Sequence, residues 1–98
     1  MTINKKAQGT ELEIALSGRL DTTTAPQLEA ELGESLKGVT ALTLDLAELE
    51  YLSSAGLRVL LATQKTMNKQ GSMLIRHVNE TIMEVFEVTG FSEILTIE

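Results

Sequence analysis

Cysteine is absent from this 98-residue sequence, which excludes disulfides and thiolate metal sites and fits a reducing compartment. Positive charge is scarce, because eight Lys and Arg stand against fourteen Asp and Glu and leave a formal net charge of -6. Aromatic residues are also few, with two Phe, one Tyr and no Trp. Nucleic-acid binding depends on clustered basic side chains and often on rings that stack on bases. We therefore expect no nucleic-acid partner.

Long apolar runs are missing too. No segment approaches the roughly 20 apolar residues that a membrane-spanning helix needs. The opening MTINKKAQGT has no apolar core of the kind found in signal peptides. The composition, 43% hydrophobic and 22% charged, is that of an ordinary globular protein. The sequence therefore predicts one soluble, cytoplasmic domain over residues 1–98 that is not inserted into a membrane.

The N-terminal segment has the pattern of a β-hairpin. Leu12, Ile14 and Leu16 alternate with polar residues, as in a strand that buries one face. TINKKA, which precedes the turn at Gly9, is the predicted antiparallel neighbour of this strand.

The first helix is predicted within TAPQLEAELGESLKG. Thr24 is the expected N-cap, Gln27 is its capping-box partner, and Pro26 is tolerated in the first turn. Gly38 is the expected stop of this helix. Its apolar face is formed by leucines four residues apart: Leu28, Leu32 and Leu36.

Strands and helices alternate through the middle of the chain. ALTLDL is a predicted strand, and a helix is predicted from about Ala55 to Gln70, ended by Gly71. SMLIRHV is the next predicted strand.

The C-terminal segment predicts one more helix and one more strand. Asn79 is the expected cap of the helix and Gly90 is its expected end, before a short strand near Ile94 to Ile97. The resulting order is ββαβαβαβ. This order predicts an α/β domain with a mixed β-sheet, an N-terminal hairpin and helices packed against the sheet.

Two loops in this arrangement are candidates for a functional site. Groups that bind or react collect beyond the carboxyl ends of parallel strands, where loops lead into helix N-termini. SGRLDTTTAP and LEYLSSAGL are the two segments of that kind. We therefore expect their polar residues to share one end of the molecule: Asp21, Thr22, Ser53 and Ser54.

Three segments resemble, in this order, the signature regions of STAS-domain anti-sigma-factor antagonists. They are GRLDTTTAPQLEAEL, LTLDLAELEYLSSAGLRVLL and GFSEILTI, and the resemblance extends over essentially the whole chain. Its most specific part is the strand, short loop, Ser-x-Gly-Leu and helix between Leu42 and Leu61. The resemblance implies a STAS-like fold and a bacterial partner-switching protein that acts in transcription regulation.

In that family the antagonist binds an anti-sigma factor, which is also a serine kinase using ATP, and so frees the sigma factor. Phosphorylation of a serine at a helix start disrupts the complex, and a phosphoserine phosphatase restores it. The matching acceptor is Ser54, before Ala55-Gly56-Leu57. Many members have Asp before the acceptor, whereas this chain has Ser53, which is a second possible acceptor. A non-phosphorylated STAS scaffold, in a lipid transporter or a signalling assembly, is the alternative within the fold.

Each residue singled out also has a simpler explanation. From position alone Ser54 is an N-cap, a role that contributes about 1 kcal/mol. Asp21 caps or braces its loop, and Gly56 either packs on the sheet or gives a partner access to the Ser54 hydroxyl. Arg58 is a solvated helix residue, or pairs with an acidic partner or with the phosphate. The resemblance implies that these residues, with Thr22 and Ser53, face the partner.

An enzyme is the rival of a different class. Ser54, His77 and Asp45 supply the residue types of a hydrolase triad, but the G-x-S-x-G elbow is not met because Leu52 replaces its first glycine. No phosphate-binding glycine loop and no His or Cys cluster is present. We therefore predict no catalytic residue, no metal site and no cofactor.

Overall fold

Residues 1–98 are all described by a computed structural model, in which strands and helices alternate after an initial hairpin. The strands are Thr2–Gln8 (β1), Glu11–Leu20 (β2), Ala41–Leu52 (β3) and Ser72–Arg76 (β4). The helices are Ala25–Ser35 (α1), Ser54–Gln70 (α2) and Glu80–Thr89 (α3), and a 3₁₀ turn follows at Phe91–Glu93. The predicted α/β domain with an N-terminal hairpin is confirmed.

The four strands form one mixed sheet in the order β1-β2-β3-β4. β1 and β2 are antiparallel, whereas β2, β3 and β4 are parallel to their neighbours. Alternate residues of the strands are buried, and the register places them side by side on one face: Leu12, Ile14, Leu42, Leu44, Met73 and Ile75. The helices bury residues in the same core cluster and therefore cover this face. The opposite face of the sheet has no helix over it.

Helix α1 packs through the predicted leucines, all of which are buried, and Thr24 is its N-cap residue as predicted, but the predicted capping box does not form. Thr24 precedes the helix, yet its side chain caps no N–H group of α1. Its hydroxyl accepts from the Asp21 N–H (2.8 Å) and donates to the Arg19 carbonyl (2.8 Å). Gln27 is exposed and its side chain makes no capping bond. The helix ends at Ser35, with Leu36 as its C-cap, before Gly38 is reached.

Helix α2 begins one residue earlier than predicted, which changes its cap. Ser53 is the N-cap, and its side chain accepts from the Gly56 N–H (3.3 Å). Ser54 is therefore the first residue of the helix and not its cap. The predicted end at Gly71 is confirmed, because the Gly71 N–H donates to the Met67 carbonyl.

The predicted boundaries of α3 are confirmed, whereas the last strand is reduced to a single bridge. Asn79 accepts from the Ile82 N–H (2.9 Å), and Gly90 ends the helix with a positive φ of 80°. The 3₁₀ turn that follows leaves too few residues for a strand, and only Ile97 pairs with Ile75, in parallel. No helix of the chain combines the length and the apolar character needed to cross a membrane.

Candidate partner-binding and phosphorylation site

The pairing of β2 with β3 brings the two predicted loops together. Leu20 and Leu52, the last residues of these strands, are register partners. The Ser53 N–H then donates to the Leu20 carbonyl (2.9 Å), so the start of α2 is attached to the end of β2. Asp21 follows Leu20 directly, and the loop that it begins lies beside Ser54. The sequence-based expectation that these residues share one end of the molecule is confirmed.

Asp21 braces the loop between β2 and α1. Its Oδ1 atom accepts from the Thr23 hydroxyl (2.7 Å), the Thr23 N–H (3.0 Å) and the Thr24 N–H (3.1 Å). The Thr23 hydroxyl, followed by the Thr24 N–H, lowers the pKa of Asp21 to about 2. This pKa is below the ordinary value of 3.8, so the charged carboxylate stabilises the folded protein. That contribution is fully present above pH 3.8 and is lost as the pH falls towards 2. The loop is therefore held in one conformation by a charged carboxylate at neutral pH.

Ser54 presents a free hydroxyl at the start of α2. The residue is exposed, and its side chain makes no hydrogen bond within the chain. The N–H groups of Ser54 and Ala55 belong to the first turn, where a helix offers no carbonyl acceptor, and the chain supplies none from elsewhere. An anion on the Ser54 side chain would be favoured by these N–H groups and by the positive end of the helix dipole. The position thus suits an added phosphate without unfolding of the helix.

The two adjacent serines are expected to differ in their contributions to stability. Ser53→Ala removes the cap bond to Gly56 and should lower the free energy of unfolding by about 1 kcal/mol. Ser54→Ala removes no bond and should change it by less than about 0.5 kcal/mol. Urea denaturation of both variants measures the difference. A larger loss for Ser54→Ala than for Ser53→Ala would contradict the assignment of the cap.

Gly56 is buried, and its missing side chain is explained by packing. A Cβ atom there would lie 2.7 Å from both Leu20 Cγ and Leu52 Cδ1. The first turn of α2 therefore lies directly on the ends of β2 and β3, and only glycine allows this approach. The prediction that Gly56 faces the partner is wrong, because this residue faces the sheet. It positions Ser54 but is not part of an exposed surface.

The two glycines inside helices should respond to alanine in opposite directions. Gly56→Ala should lower the free energy of unfolding by about 1 to 2 kcal/mol, since overpacking outweighs the gain in helix propensity. Gly33 of α1 is exposed with nothing within 4 Å of its Cβ position, so Gly33→Ala should raise it by up to about 1 kcal/mol. Thermal melts test both, and stabilisation by Gly56→Ala would refute the close approach.

Arg58 and Thr22 lie on the rim that joins the loop to α2. Both line a cavity of about 180 Å³ between the Asp21 loop, α1 and α2. Arg58 is exposed, forms no ion pair within the chain, and follows Ser54 by four residues, the spacing of neighbours on one helix face. Its guanidinium group is therefore free to meet an acidic side chain or a phosphate.

Two further residues of this end were not predicted from the sequence. The Arg19 guanidinium carbon lies 4.1 Å from the ring centroid of Tyr51, and the two residues are register partners in β2 and β3. Each precedes a predicted site residue by two positions, Asp21 and Ser53 respectively. The aromatic residue within the candidate segment LEYLSSAGL was the only signal available in the sequence.

The residues of the hypothetical hydrolase triad do not meet. His77 Nδ1 and Asp45 Oδ2 are 3.1 Å apart, and the pKa of Asp45 is lowered, mainly by the Ala47 N–H group that it accepts from and further by His77. Asp45 lies seven positions before the end of β3. At about 3.3 Å per residue, this separation places Asp45 roughly 20 Å from the start of α2. The His77–Asp45 pair therefore does not lie beside Ser54. No group of three His, Cys, Asp or Glu side chains is arranged to hold a metal ion.

Comparisons with known proteins show the family to which the chain belongs. The family model described as "Mlab, STAS domain" matches residues 3–96. BtrV of Bordetella bronchiseptica, provisionally named an anti-sigma factor antagonist, is 40% identical over 84 residues, covering 84% of this chain and 72% of BtrV.

Two solved proteins have the same fold. An anti-sigma factor antagonist from Mycobacterium paratuberculosis superposes with a TM-score of 0.88 at 26% identity, covering 98% of this chain and 83% of that one. The antagonist SpoIIAA from Bacillus was solved in an unphosphorylated and a phosphorylated form, which superpose with TM-scores of 0.85 and 0.77 at 18% identity. Both comparisons cover 99% of this chain, and they cover 88% and 91% of SpoIIAA respectively. The chain belongs to the STAS domain family and is related to its anti-sigma factor antagonists.

Proposed function

We propose that this protein is an anti-sigma factor antagonist switched off by phosphorylation of Ser54. In the unmodified form it binds an anti-sigma factor that is also an ATP-dependent serine kinase, and the sigma factor is released. A phosphoserine phosphatase reverses the modification. The observation that carries the proposal is the exposed, unbonded hydroxyl of Ser54 at the first position of α2, beside the braced Asp21 loop. The names of the relatives support the same function.

The physical consequences of a phosphate fit a switch that leaves the fold intact. The group adds a charge of about -1.5 to -2, which is favoured by the N–H groups of Ser54 and Ala55 within the chain. At an interface the same charge repels acidic side chains of the partner and is unfavourable to desolvate. The rigid loop at Asp21 and the close contact of Gly56 with the sheet keep the surroundings of Ser54 unchanged. The modification therefore acts on the interface and not on the domain.

In this function the protein is a substrate of the kinase and does no chemistry of its own. It acts in the cytoplasm, where the ATP and the sigma factor are found, and needs no cofactor. The proposed contact surface contains three exposed residues around the two loops, Thr22, Ser54 and Arg58, and two half-buried ones, Asp21 and Ser53.

Phosphopeptide mapping tests the proposal. The anti-sigma factor kinases of the source bacterium are purified and incubated singly with the protein and ATP, and the modified residue is identified by mass spectrometry. We expect one kinase to bind the protein and to place a single phosphate on Ser54. Ser53→Ala should remain a substrate, whereas Ser54→Ala should not.

Two results would contradict the proposal. Phosphate found only on Ser53 would move the switch to the capping residue. Absence of binding to every kinase, together with co-purification with the subunits of a lipid transporter, would instead support the non-phosphorylated scaffold.

A further inference from the structure

Arg19 and Tyr51 form an exposed pair at the same end of the sheet as Ser54. The guanidinium group lies on the Tyr51 ring at 4.1 Å, and Arg19 Nε is 3.6 Å from Asp21 Oδ2. Tyr51 is one of only three large hydrophobic residues that are exposed, at 41% of its surface. The other two, Val88 and Ile94, belong to α3 and the C-terminal segment.

The pair lies on the sheet face that the helices leave open. Leu20 and Leu52, the next residues of the two strands, are buried beneath α2, and neighbouring side chains of a strand point to opposite faces. Arg19 and Tyr51 therefore point away from α2. They extend the surface around Asp21 and Ser54 from the carboxyl ends of β2 and β3 onto the open face of the sheet.

The guanidinium group is held in place but is not saturated. The Tyr51 ring covers one side of it, and Asp21 Oδ2 attracts its Nε edge. Its terminal amino groups have no acceptor within the chain. A guanidinium fork with a free edge matches the geometry of a carboxylate, and a side chain that is already ordered loses less entropy on binding.

We propose that Arg19 and Tyr51 form an anchor that docks the anti-sigma factor through an acidic side chain of that partner, with Tyr51 packing against apolar atoms next to it. This inference rests on the proposed function and adds a second contact region to the loops. Tyr and Arg are the residues most often responsible for binding energy at interfaces. The free edge of the Arg19 guanidinium group also helps to set the orientation of the partner.

Calorimetric titration with the purified anti-sigma factor kinase identified by phosphorylation of Ser54 tests the anchor. Tyr51→Ala and Arg19→Gln should each weaken binding by about tenfold or more, whereas Tyr51→Phe, which keeps the ring, should stay within about threefold. The double variant Arg19→Gln with Tyr51→Ala should lose less than the product of the two single effects, because the residues act as a unit. Val88→Ala, an exposed apolar residue of another element, is the control and should bind as the wild type.

The outcomes separate the anchor from the switch. Wild-type affinity for Tyr51→Ala and Arg19→Gln, together with weak binding by Ser54→Asp, would overturn the anchor and leave the proposed function standing. Failure of the wild-type protein to bind any anti-sigma factor kinase would overturn both. Because neither Arg19 nor Tyr51 belongs to the buried core, thermal melts should show that the variants remain folded.

Discussion

Ser54→Asp is expected to weaken binding to the anti-sigma factor by about tenfold to a hundredfold, which corresponds to about 1.4 to 2.7 kcal/mol. The new carboxylate places a negative charge at the exposed first position of α2, where the partner is proposed to dock. The same charge is favoured by the helix dipole, so the free energy of unfolding should stay within about 0.5 kcal/mol of the wild type or rise slightly. Calorimetric titration and urea denaturation of the same sample measure the two effects.

Ser54→Ala is the matched control for the charge. It removes the acceptor hydroxyl and adds no charge, so it should bind the anti-sigma factor with nearly wild-type affinity and resist inactivation by ATP and the kinase. Because Ser53 and not Ser54 caps the helix, the comparison is free of a large stability difference. Equal affinities for the Ala and Asp variants would show that charge at this position does not control binding.

Gly71→Ala is expected to give the largest loss of stability, about 3 kcal/mol or more. A Cβ atom on Gly71 would lie 1.9 Å from the carbonyl oxygen of Thr40 and 2.6 Å from its carbonyl carbon. These are backbone atoms of the residue just before β3, and the Thr40 carbonyl also accepts from the Ser72 N–H (2.9 Å) where β4 begins. The clash can be relieved only by moving a strand. The melting temperature should fall by roughly 10 °C or more.

Ser72→Ala is the control for this substitution. Ser72 is the exposed neighbour of Gly71, and its side chain makes no hydrogen bond within the chain. Its replacement should change the free energy of unfolding by less than about 0.5 kcal/mol. A melting temperature for Gly71→Ala within a few degrees of the Ser72→Ala value would contradict the close contact with Thr40.

Most of the fold could be predicted because the hydrophobic periodicity is unambiguous. Leu12, Ile14 and Leu16 alternate as a strand with one buried face, and all three are buried. The last strand was less predictable. Residues Ile94 to Ile97 are of strand-forming types, but the preceding residues Phe91–Glu93 form a 3₁₀ turn, and only Ile97 pairs with the sheet. Local composition does not reveal how many residues remain to pair.

The site was located by topology, but its details depend on single residues. A boundary error of one residue at α2 assigned the cap to Ser54 in place of Ser53, and such errors are typical of sequence-based helix starts. Thr24 was expected to cap α1, but its hydroxyl instead bridges Arg19 and Asp21, where the carboxylate holds the loop. These outcomes depend on which acceptor the backbone geometry favours.

Arg19 and Tyr51 could not be paired from the sequence. They become partners only through the register of β2 with β3, which shifts between Ala15 and Ser17 and again between Gly18 and Arg19. Each shift changes which residues lie opposite one another and on which face of the sheet they point. Simple alternation from Leu16 would have placed Arg19 opposite another residue.

The affinity of the anti-sigma factor for this protein before and after phosphorylation of Ser54 tests the central claim most directly. One preparation is titrated calorimetrically as the unmodified protein, as the phosphorylated protein, and again after treatment with a phosphoserine phosphatase. We predict that phosphorylation weakens binding by about a hundredfold or more, that the domain stays folded, and that the phosphatase restores the original affinity. Equal affinity for the unmodified and fully phosphorylated protein would contradict the account.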